Sequence, residues 1–243
     1  MNIYETPKLL GEYLLFHYGK DEEVLPWSFG PKDALGFAIR SVTELLDGTI
    51  IPAQARALDL GCAVGRSCYE LARVAPHVIG IDYSNAFIMA AETLRLEGRM
   101  AYLRHDEADT GTELVALRPK HSHVEHIHFE QGDAMNLRAD LSSFDIVHAA
   151  NLLCRLTEPQ QLLKRLPDLV KAGGQLLLTT PCTWLDEFTP PENWPQGSTY
   201  DWLQNQLSQH FTLAHRTDIP FLIREHARKF QWSVALGTRW VRK

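Results

Sequence analysis

The chain has 243 residues, of which 45% are hydrophobic, and it carries a formal net charge of −6 at pH 7. This length suits one large α/β domain with a full core, and the negative charge argues against a nucleic-acid surface, which needs clustered lysine and arginine to neutralise phosphates. No apolar run approaches the roughly 20 residues that cross a bilayer, and the first residues lack the basic and apolar regions of a signal peptide. We therefore expect a cytoplasmic protein that binds neither nucleic acid nor membrane.

The N-terminal region, residues 1–50, is expected to form a helical cap before the first strand. Thr6 followed by Pro7 is typical of a helix start, with threonine as the N-cap and proline at the first helical position. Apolar and aromatic residues then recur at helical spacing up to Tyr18, which indicates a face packed on the core. A second helix is predicted over residues 37–46.

Residues 57–67 read Ala-Leu-Asp-Leu-Gly-Cys-Ala-Val-Gly-Arg-Ser and predict a strand, a glycine turn and a helix. The apolar run around Asp59 is typical of a buried parallel strand. Gly61 and Gly65 let the backbone turn tightly and leave room for a ligand against the main chain. Because the helix that follows offers unpaired N–H groups, this stretch predicts a site for a nucleotide-type ligand.

Two kinds of cofactor compete for such a turn. A dinucleotide site has the pattern G-x-G-x-x-G, but Ala63 stands where the middle glycine would be. The pattern Asp-x-Gly-x-x-x-Gly instead resembles motif I of class I S-adenosylmethionine-dependent methyltransferases. That resemblance implies that Asp59 faces the methionine end of the cofactor and that Gly61, Cys62, Ala63 and Gly65 contact it.

Acidic or polar residues end the next three strands of the core. Asp82 lies about 20 residues past the glycine turn, where a carboxylate is placed to accept hydrogen bonds from ribose hydroxyls. The third strand, residues 127–134, ends in Asp133, which in these enzymes meets the adenine amino group. The fourth strand ends at Asn151, where the methyl donor is expected to face its acceptor. The neighbouring residues assigned to the cofactor are Tyr83, Ala134 and Ala149.

The remaining pattern alternates strands and helices, which implies a parallel sheet with right-handed crossovers. Further helices are predicted over residues 67–74, 86–96, 159–170 and 199–210, and further strands over residues 78–82, 145–151 and 175–181. A hairpin is expected to be inserted at residues 99–125. Residues 184–194, rich in aromatics and proline, are positioned as a lid, and residues 211–219 and 230–241 are predicted to form a closing antiparallel pair.

Histidines and cysteines are the candidate metal ligands of the chain. Residues 121–128 hold four histidines, but no cysteine or aspartate joins them at zinc-like spacing, so the interpretation is a polar loop that leads into a strand. Cys62, Cys68, Cys154 and Cys182 are scattered without a C-x-x-C pair. We therefore expect neither a disulfide nor a metal.

Two arginines, a glutamate and a histidine lie between the closing strands, in residues 220–229. Two interpretations stay open. The segment is a solvated hairpin, which is the common fate of such charge runs, or it holds a zwitterionic amino acid. In the second case Arg224 or Arg228 would fork onto the carboxylate and Glu225 would accept from the amine, with His226 beside them.

Six segments resemble the methyltransferase domain of ovothiol biosynthesis and span nearly the full chain: residues 2–6, 12–19, 57–67, 148–156, 178–181 and 220–232. The resemblance implies a Rossmann-like class I methyltransferase fold, with a mostly parallel seven-stranded sheet, helices on both faces and an antiparallel closing strand. It also implies S-adenosylmethionine as cofactor, S-adenosylhomocysteine as product, and methylation of a side-chain imidazole nitrogen of 5-thiohistidine (4-mercaptohistidine) to give ovothiol A. In that family the domain commonly follows a sulfoxide synthase domain, so residues 1–243 are expected to be a single domain, either stand-alone or excised from such a chain.

The substrate candidates are the residues that such an amino-acid acceptor would meet: Tyr4, Tyr13, Tyr18, Asn151, Arg224, Glu225, His226 and Arg228. Asn151 and His226 are positioning candidates, and the catalytic residue is not identified. Two rival functions stay open, a methyltransferase for another small acceptor such as histidine or a histidine peptide, and a cofactor-binding module without catalysis. The sequence assigns no oligomeric state.

Overall fold

The computed structural model describes residues 3–120 and 122–243, so the first two residues of the chain and His121 of the histidine run lie outside the described residues. The α-helices of the described part are α1 (Pro7–Tyr18), α2 (Asp21–Val24), α3 (Phe37–Thr43), α4 (Arg66–Leu71), α5 (Asn85–Glu97), α6 (Pro159–Leu169) and α7 (Thr199–Leu207). Its strands are β1 (Arg56–Leu60), β2 (His77–Asp82), β3 (Arg99–Glu107), β4 (Thr110–Leu117), β5 (Ile127–Gln131), β6 (Phe144–Ala150), β7 (Val170–Thr180), β8 (Phe211–His226) and β9 (Lys229–Arg242). Within these ranges no helix is both long and apolar enough to cross a bilayer.

Seven strands form one sheet in the order β5-β2-β1-β6-β7-β9-β8. The pairs from β5 to β7 are parallel, and β9 runs antiparallel to both of its neighbours. β1 and β6 lie side by side at the point where the chain turns from one half of the sheet to the other, and open α/β sheets bind ligands beyond the carboxyl ends of the strands at such a point. This arrangement confirms the predicted fold class.

Local signals in the sequence set the ends of the helices. The Thr6 side chain accepts a hydrogen bond from the Leu9 N–H, and Pro7 is the first helical residue, so α1 begins as predicted. At α5 the Ser84 side chain caps the N-terminus, and Gly98, with a φ of +79°, ends the helix in the left-handed region.

The core has two layers because successive residues of each strand point to opposite faces of the sheet. On β7, Leu176 and Leu178 belong to the apolar cluster that includes the buried leucines of α6 and α7. Leu177, between them, belongs to the cluster on the other face, together with residues of α3 and α4. Both faces of the sheet are therefore covered, as the βα alternation requires.

Helices α1 and α2 and a small hairpin of β3 and β4 pack against the glycine turn after β1 and against α5, since all of them contribute to one apolar cluster. The hairpin lies within residues 99–125, where the sequence predicts an inserted hairpin. Helix α1 packs so closely on β3 that a Cβ added at Gly11 would lie 2.4 Å from the Leu103 carbonyl oxygen. The hairpin is therefore packed on the rest of the domain. We call α1, α2 and the β3–β4 hairpin the roof, because together they cover the glycine turn.

Residues 220–229 are corrected by the structure. They are not a loop between two short strands, because β8 continues to His226 and β9 begins at Lys229. Thr180, the last residue of β7, pairs with Leu236, which in turn pairs with Asp218, so residues 219–226 extend beyond the main sheet. We call residues 219–235 the arm. Pairing within the arm satisfies the backbone of this charged segment, for which the sequence leaves a solvated hairpin and an amino-acid site open.

Other element boundaries also differ from the predictions, three of them at helices. The helix predicted over residues 37–46 ends at Thr43, and that predicted over residues 67–74 is the short α4. Val170 begins β7 rather than ending α6, since its backbone pairs with Phe144. In each case tertiary pairing or a tight turn overrides the local propensity.

Candidate active site

The turn after β1 is bent by three residues in the left-handed region, Gly61, Ala63 and Gly65, with φ values of +68°, +48° and +84°. The N–H groups of Gly61 and Cys62 both donate to the Ile81 carbonyl oxygen, at 2.8 and 3.1 Å. These bonds tie the turn to the end of β2. The main chain of the turn is therefore held open at the carboxyl edge, as expected for a cofactor site.

Asp82 is the carboxylate at the centre of this edge. One of its oxygens accepts from the Ala63 N–H and the other from the Ser84 N–H, each at 2.8 Å. Burial raises the pKa of Asp82 to about 6, against the effect of these two hydrogen bonds. Since each carboxylate oxygen can accept a second hydrogen bond, Asp82 retains the capacity to bind a pair of hydroxyl groups.

The turn after β5 brings Asp133 to the same edge. The Gly132 N–H donates to the Asp82 carbonyl oxygen at 2.9 Å, which fixes the two turns beside each other. Asp133 Oδ1 accepts from the Met135 N–H at 2.8 Å, and Ala134 is buried between them. Two carboxylates therefore follow neighbouring strands, in the arrangement that the sequence predicts.

Asp59 does not have the position that the sequence predicts. Its side chain is 1% exposed and accepts from Ser67 Oγ at 2.5 Å and from Cys68 Sγ at 3.2 Å. Its other oxygen lies 2.7 Å from His148 Nδ1. Burial and these three partners shield the carboxylate, so Asp59 is a buried structural group in this geometry.

Burial alone would raise the pKa of Asp59, but His148, Ser67 and Cys68 outweigh it and hold the pKa below its usual value. His148 Nε2 lies 3.1 Å from Ser41 Oγ, so serine, histidine and aspartate form a continuous chain. All three are buried. The set therefore has the residue types of a catalytic triad without the access that a substrate needs.

Three other predicted cofactor residues differ in exposure. Cys62 is buried, and burial raises the pKa of its thiol to about 11, so it is neutral and unreactive. Ala149 lies within β6 and is buried, and its contact with the cofactor stays a prediction. Tyr83 is 63% exposed, and its carbonyl oxygen accepts from Gln131 Nε2.

Asn151 follows β6 with a φ of +52°, a region that asparagine tolerates better than most residues. Its N–H donates to the Thr179 carbonyl oxygen at 2.9 Å, and its Oδ1 accepts from Thr179 Oγ1 at 2.9 Å. Thr179 is fully buried on β7. The Asn151 amide is therefore held in orientation by Thr179 at the end of β6, and it does not titrate.

An aromatic cluster covers the end of β2. The Tyr13 and Phe87 ring centroids are 4.7 Å apart, and the Tyr4 ring lies 6.0 Å from Tyr13 and 6.3 Å from Phe188. Ser84 Oγ donates to the Tyr4 carbonyl oxygen at 3.0 Å, which holds the N-terminal segment against this edge. The structure thus brings Tyr4 and Tyr13 together beside Asp82, while their contact with a substrate stays a prediction.

Tyr18 is held elsewhere, since its hydroxyl donates to the Val64 carbonyl oxygen at 2.8 Å. Its role is to brace the glycine turn from the side of α1. Sequence patterning did not single out Phe188 or Glu5, whose carboxylate accepts from the N–H groups of Asn85 and Ala86 at the start of α5. An acidic residue before a helix start is the signal that could have identified Glu5.

The predicted lid, residues 184–194, is an anchored loop. Thr189 is fully buried and its hydroxyl donates to the Leu156 carbonyl oxygen at 2.7 Å. The Trp194 indole N–H donates to the Thr189 carbonyl oxygen, also at 2.7 Å. These bonds tie the loop to the segment after β6, and Phe188 lies against the aromatic cluster. Movement of this loop as a lid stays a prediction.

Arg224 is also corrected. Its side chain is 4% exposed, and its guanidinium donates to the Glu23 carbonyl oxygen at 3.0 Å and to Asp106 at 3.1 Å. These contacts fasten the arm to the roof, so this guanidinium is not open to a substrate carboxylate.

The other residues of that charged segment lie around the tip of the arm. Glu225 accepts from Lys229 and Gln231, at 2.6 and 2.7 Å. His226 Nδ1 accepts from the Arg228 N–H at 3.2 Å, and the Arg228 side chain is exposed. Their contact with a substrate stays a prediction.

Within the described residues, His123, Glu125 and His126 could bring three ligand atoms within 4.8 Å of one another. Two of the three side chains are exposed, on a single turn before β5. This turn lies at the start of β5, whereas Asp82 and Asp133 lie at the carboxyl ends of their strands. It therefore contributes nothing to the candidate active site.

Residues 51–232 match a family model described as "Methyltransferase domain". Over 135 residues the chain is 24% identical to the ubiquinone biosynthesis O-methyltransferase of Marinobacter nauticus, a match that covers 56% of this chain and 48% of that protein. The chain thus spans about half the length of the curated relatives it matches.

Two solved structures show the same fold. The N-methyltransferase NodS from Bradyrhizobium japonicum, in complex with S-adenosyl-L-homocysteine, has a TM-score of 0.53 at 15% identity, over 96% of this chain and 98% of that one. The magnesium protoporphyrin IX methyltransferase from Synechocystis, also with S-adenosylhomocysteine bound, has a TM-score of 0.54 at 16% identity, over 87% and 86% of the two chains.

Proposed function

The chain belongs to the methyltransferase domain family, a family of S-adenosylmethionine-dependent enzymes, and on that premise we propose that it methylates an imidazole nitrogen of 5-thiohistidine to give ovothiol A. The resemblance of residues 57–67, 148–156 and 220–232 to the methyltransferase domain of ovothiol biosynthesis supports this acceptor. The observation that carries the reaction class is the fixed amide of Asn151 at the end of β6.

An amide at this position suits an acceptor that needs no base. A phenolic hydroxyl has a pKa near 10, so transfer to its oxygen needs a group that takes the proton. An imidazole titrates near 6.5, so at neutral pH much of it already has a free lone pair on one ring nitrogen. Because Asn151 can orient a ring without accepting its proton, the site favours N-methylation of an imidazole over O-methylation of a phenol.

The residues at the carboxyl edge fit S-adenosylmethionine better than a dinucleotide. The Ala63 N–H, which a pyrophosphate would need, already donates to Asp82. Asp82 would accept from the ribose hydroxyls and Asp133 from the adenine amino group, with the glycine turn against the cofactor. When bound, S-adenosylmethionine supplies an electrophilic methyl group on a sulfonium.

The protein itself has to position the acceptor and exclude water. The aromatic cluster of Tyr4, Tyr13 and Phe188 provides apolar walls beside Asp82, and Asn151 provides a fixed polar group at the end of β6. Alignment of a ring nitrogen with the methyl group is the kind of effect for which effective molarities of about 10⁵ M or more are known. Positioning alone can therefore account for much of the rate.

A methyl-transfer assay read by mass spectrometry tests the proposal. The enzyme and S-adenosylmethionine are mixed with 5-thiohistidine, histidine, carnosine and a catechol, the last to test O-methylation. We expect a monomethylated product from 5-thiohistidine and none from the catechol. Product from histidine or carnosine alone would move the assignment to that acceptor. If none of the acceptors reacts while S-adenosylhomocysteine still binds, the thiohistidine proposal is wrong and the family assignment stands.

A further inference from the structure

We propose that Arg155 binds the α-carboxylate of an amino-acid ligand at the carboxyl edge of the sheet. The inference rests on the proposed function, because it names the residue that holds the amino-acid part of a ligand in the same site. An α-carboxylate is present both in an amino-acid acceptor and in the methionine part of the cofactor. The experiment below distinguishes these two sources.

Arg155 lies just beyond the carboxyl end of β6. It closes the short turn Leu153–Arg155, which follows Asn151, and its N–H donates to the Leu152 carbonyl oxygen at 2.8 Å. Its guanidinium carbon lies 4.5 Å from the centroid of the Phe188 ring. The arginine therefore lies between the aromatic cluster and the end of β6, where the methyl donor and the methyl acceptor are expected to meet.

The charge of Arg155 is not matched by a carboxylate. Among residues 3–120 and 122–243 no aspartate or glutamate forms an ion pair with it, whereas Arg66 pairs with Glu70 and Arg224 with Asp106. The Arg155 side chain is half-buried. A partly desolvated cation without a counter-charge is unfavourable, so a carboxylate that enters the site gains a partner that the fold does not supply.

The geometry of the guanidinium also leaves donors for a ligand. Stacking on Phe188 uses the face of the guanidinium, while its five N–H groups lie in its plane. One nitrogen donates to the Cys154 carbonyl oxygen at 3.2 Å. Burial raises the pKa of Tyr4, and the positive charge of Arg155, together with a hydrogen bond between the two side chains, opposes that rise. These contacts use only some of the N–H donors of the guanidinium. The donors that remain lie in one plane and match the two oxygens of a carboxylate.

Arg155 fits this role better than the two arginines that sequence patterning put forward. Arg224 donates to Glu23 and Asp106 inside the roof, and Arg228 lies exposed at the tip of the arm. Neither contacts the aromatic cluster beside Asp82. Arg155 contacts it directly, through the Phe188 ring.

The test uses the substitution Arg155→Met, which removes the charge and keeps the length, and Arg155→Lys, which keeps the charge without the fork. The matched control is Arg216→Met, because the Arg216 guanidinium also lies over an aromatic ring, 4.1 Å from the centroid of Tyr200, on the edge strand β8. Circular dichroism of all three variants establishes that they fold.

The first arm measures cofactor binding by titration calorimetry. If Arg155 holds the cofactor carboxylate, Arg155→Met raises the Kd of S-adenosylhomocysteine by about 10- to 100-fold, as expected for a charged hydrogen-bonded pair. Binding of decarboxylated S-adenosylhomocysteine is then equally weak in the wild type and in Arg155→Met. Arg155→Lys lies between them.

The second arm measures turnover of the thiohistidine acceptor and of its decarboxylated amine. If Arg155 holds the acceptor carboxylate, Arg155→Met leaves the Kd of S-adenosylhomocysteine unchanged and raises the KM for the thiohistidine acceptor about 10-fold or more, while the amine reacts equally with both proteins. The proposal is overturned if Arg155→Met behaves as Arg216→Met in both arms, or if ligands with and without the carboxylate lose affinity equally. If the wild type methylates none of the acceptors, the proposed function fails and the first arm alone decides on Arg155.

Discussion

Asp59 and His148 face each other across the two central strands, with Asp59 Oδ1 2.7 Å from His148 Nδ1. They are register partners in the β1–β6 pair, and both are buried. Through Ser41 on α3 and Ser67 on α4, the pair also joins those two helices to the sheet. A buried polar network therefore ties β1, the strand that leads into the glycine turn, to β6, α3 and α4.

Substitution of His148 by leucine is expected to lower the free energy of unfolding by about 3–5 kcal/mol, because it leaves the Asp59 carboxylate buried with one partner fewer. Urea denaturation measures the loss. The double variant Asp59→Asn with His148→Leu should recover part of it, since the uncompensated charge is then gone. A loss below about 1 kcal/mol for His148→Leu alone would mean that the pair is not energetically coupled.

Cofactor affinity is expected to depend on the protonation of Asp82. Burial raises the pKa of this carboxyl to about 6, above its ordinary value near 3.9, so the group takes up a proton as the pH falls through 6. A protonated carboxyl loses part of its capacity to accept from ribose hydroxyls, so the Kd of S-adenosylhomocysteine should rise below about pH 6, by up to tenfold per pH unit. Calorimetry over about pH 5 to pH 8 measures this.

Asp82→Asn provides the control for that pH profile, because an amide does not titrate. Its affinity should be lower than that of the wild type at neutral pH and nearly flat over the same range.

The contribution of Asp82 to folding stability depends on pH with the opposite sign. A raised carboxyl pKa favours the folded state below the unfolded value near 3.9, and this contribution is lost as the pH rises through about 6.

Thr179→Val is expected to lower kcat for the thiohistidine acceptor by roughly 3- to 10-fold, with the Kd of S-adenosylhomocysteine unchanged. The substitution removes the hydroxyl that donates to Asn151 Oδ1 and also accepts from the Asn151 N–H. Because that N–H keeps its bond to the Thr179 carbonyl oxygen, the net loss is close to that of one hydrogen bond, about 1 kcal/mol. Thr179→Ser keeps the hydroxyl and should retain most of the activity. Equal kcat values for the valine and serine variants would exclude a positioning role for this contact.

Gly65→Ala should destabilise the fold more than Gly197→Ala. The two glycines have nearly the same φ, +84° and +85°, so the backbone strain of a new side chain is matched. A Cβ at Gly65 would lie 2.5 Å from the Phe129 ring, whereas nothing lies within 4 Å at Gly197. We expect a cost of about 1–2 kcal/mol at Gly197 and about 1–3 kcal/mol more at Gly65, measured by urea denaturation. Equal costs would mean that Phe129 moves away freely.

Arg224→Met and Arg228→Met separate two arginines of the same charged segment. Loss of the Arg224 guanidinium removes the bonds to Glu23 and Asp106 that hold the arm, which should cost about 2 kcal/mol. Arg228 is exposed, so its loss should stay within about 0.5 kcal/mol. The reverse order in denaturation midpoints would show that the arm is held at its tip.

Sequence patterning predicted the sheet and the positions of Asp82 and Asp133, because strand period, turn chemistry and strand order are local properties. It pointed to Arg224 and did not single out Arg155, since the difference between them depends on distant contacts. The residue that binds the Arg224 guanidinium, Glu23, lies 201 positions away in the chain. No spacing rule reports such a contact.

Asp59 shows a second limit of sequence patterning. An acidic residue near the end of a strand is compatible with either a ligand contact or a buried network. The choice is made by the neighbour across the sheet, His148, which is a register partner only once β6 has paired with β1. Register is a property of the assembled sheet, and a single sequence does not encode it in any short pattern.

The arm is also among the last parts of the chain to be synthesised. The turns that carry Asp82 and Asp133 precede β6 in the sequence. The arm and β9 come after β7 in the sequence, although β9 lies between β7 and β8 in the sheet. On a ribosome, where the N-terminal part emerges first, the groups proposed to hold the cofactor are therefore synthesised well before the segment that Arg224 fastens to Glu23. The order of synthesis places both carboxylates of the carboxyl edge ahead of the arm.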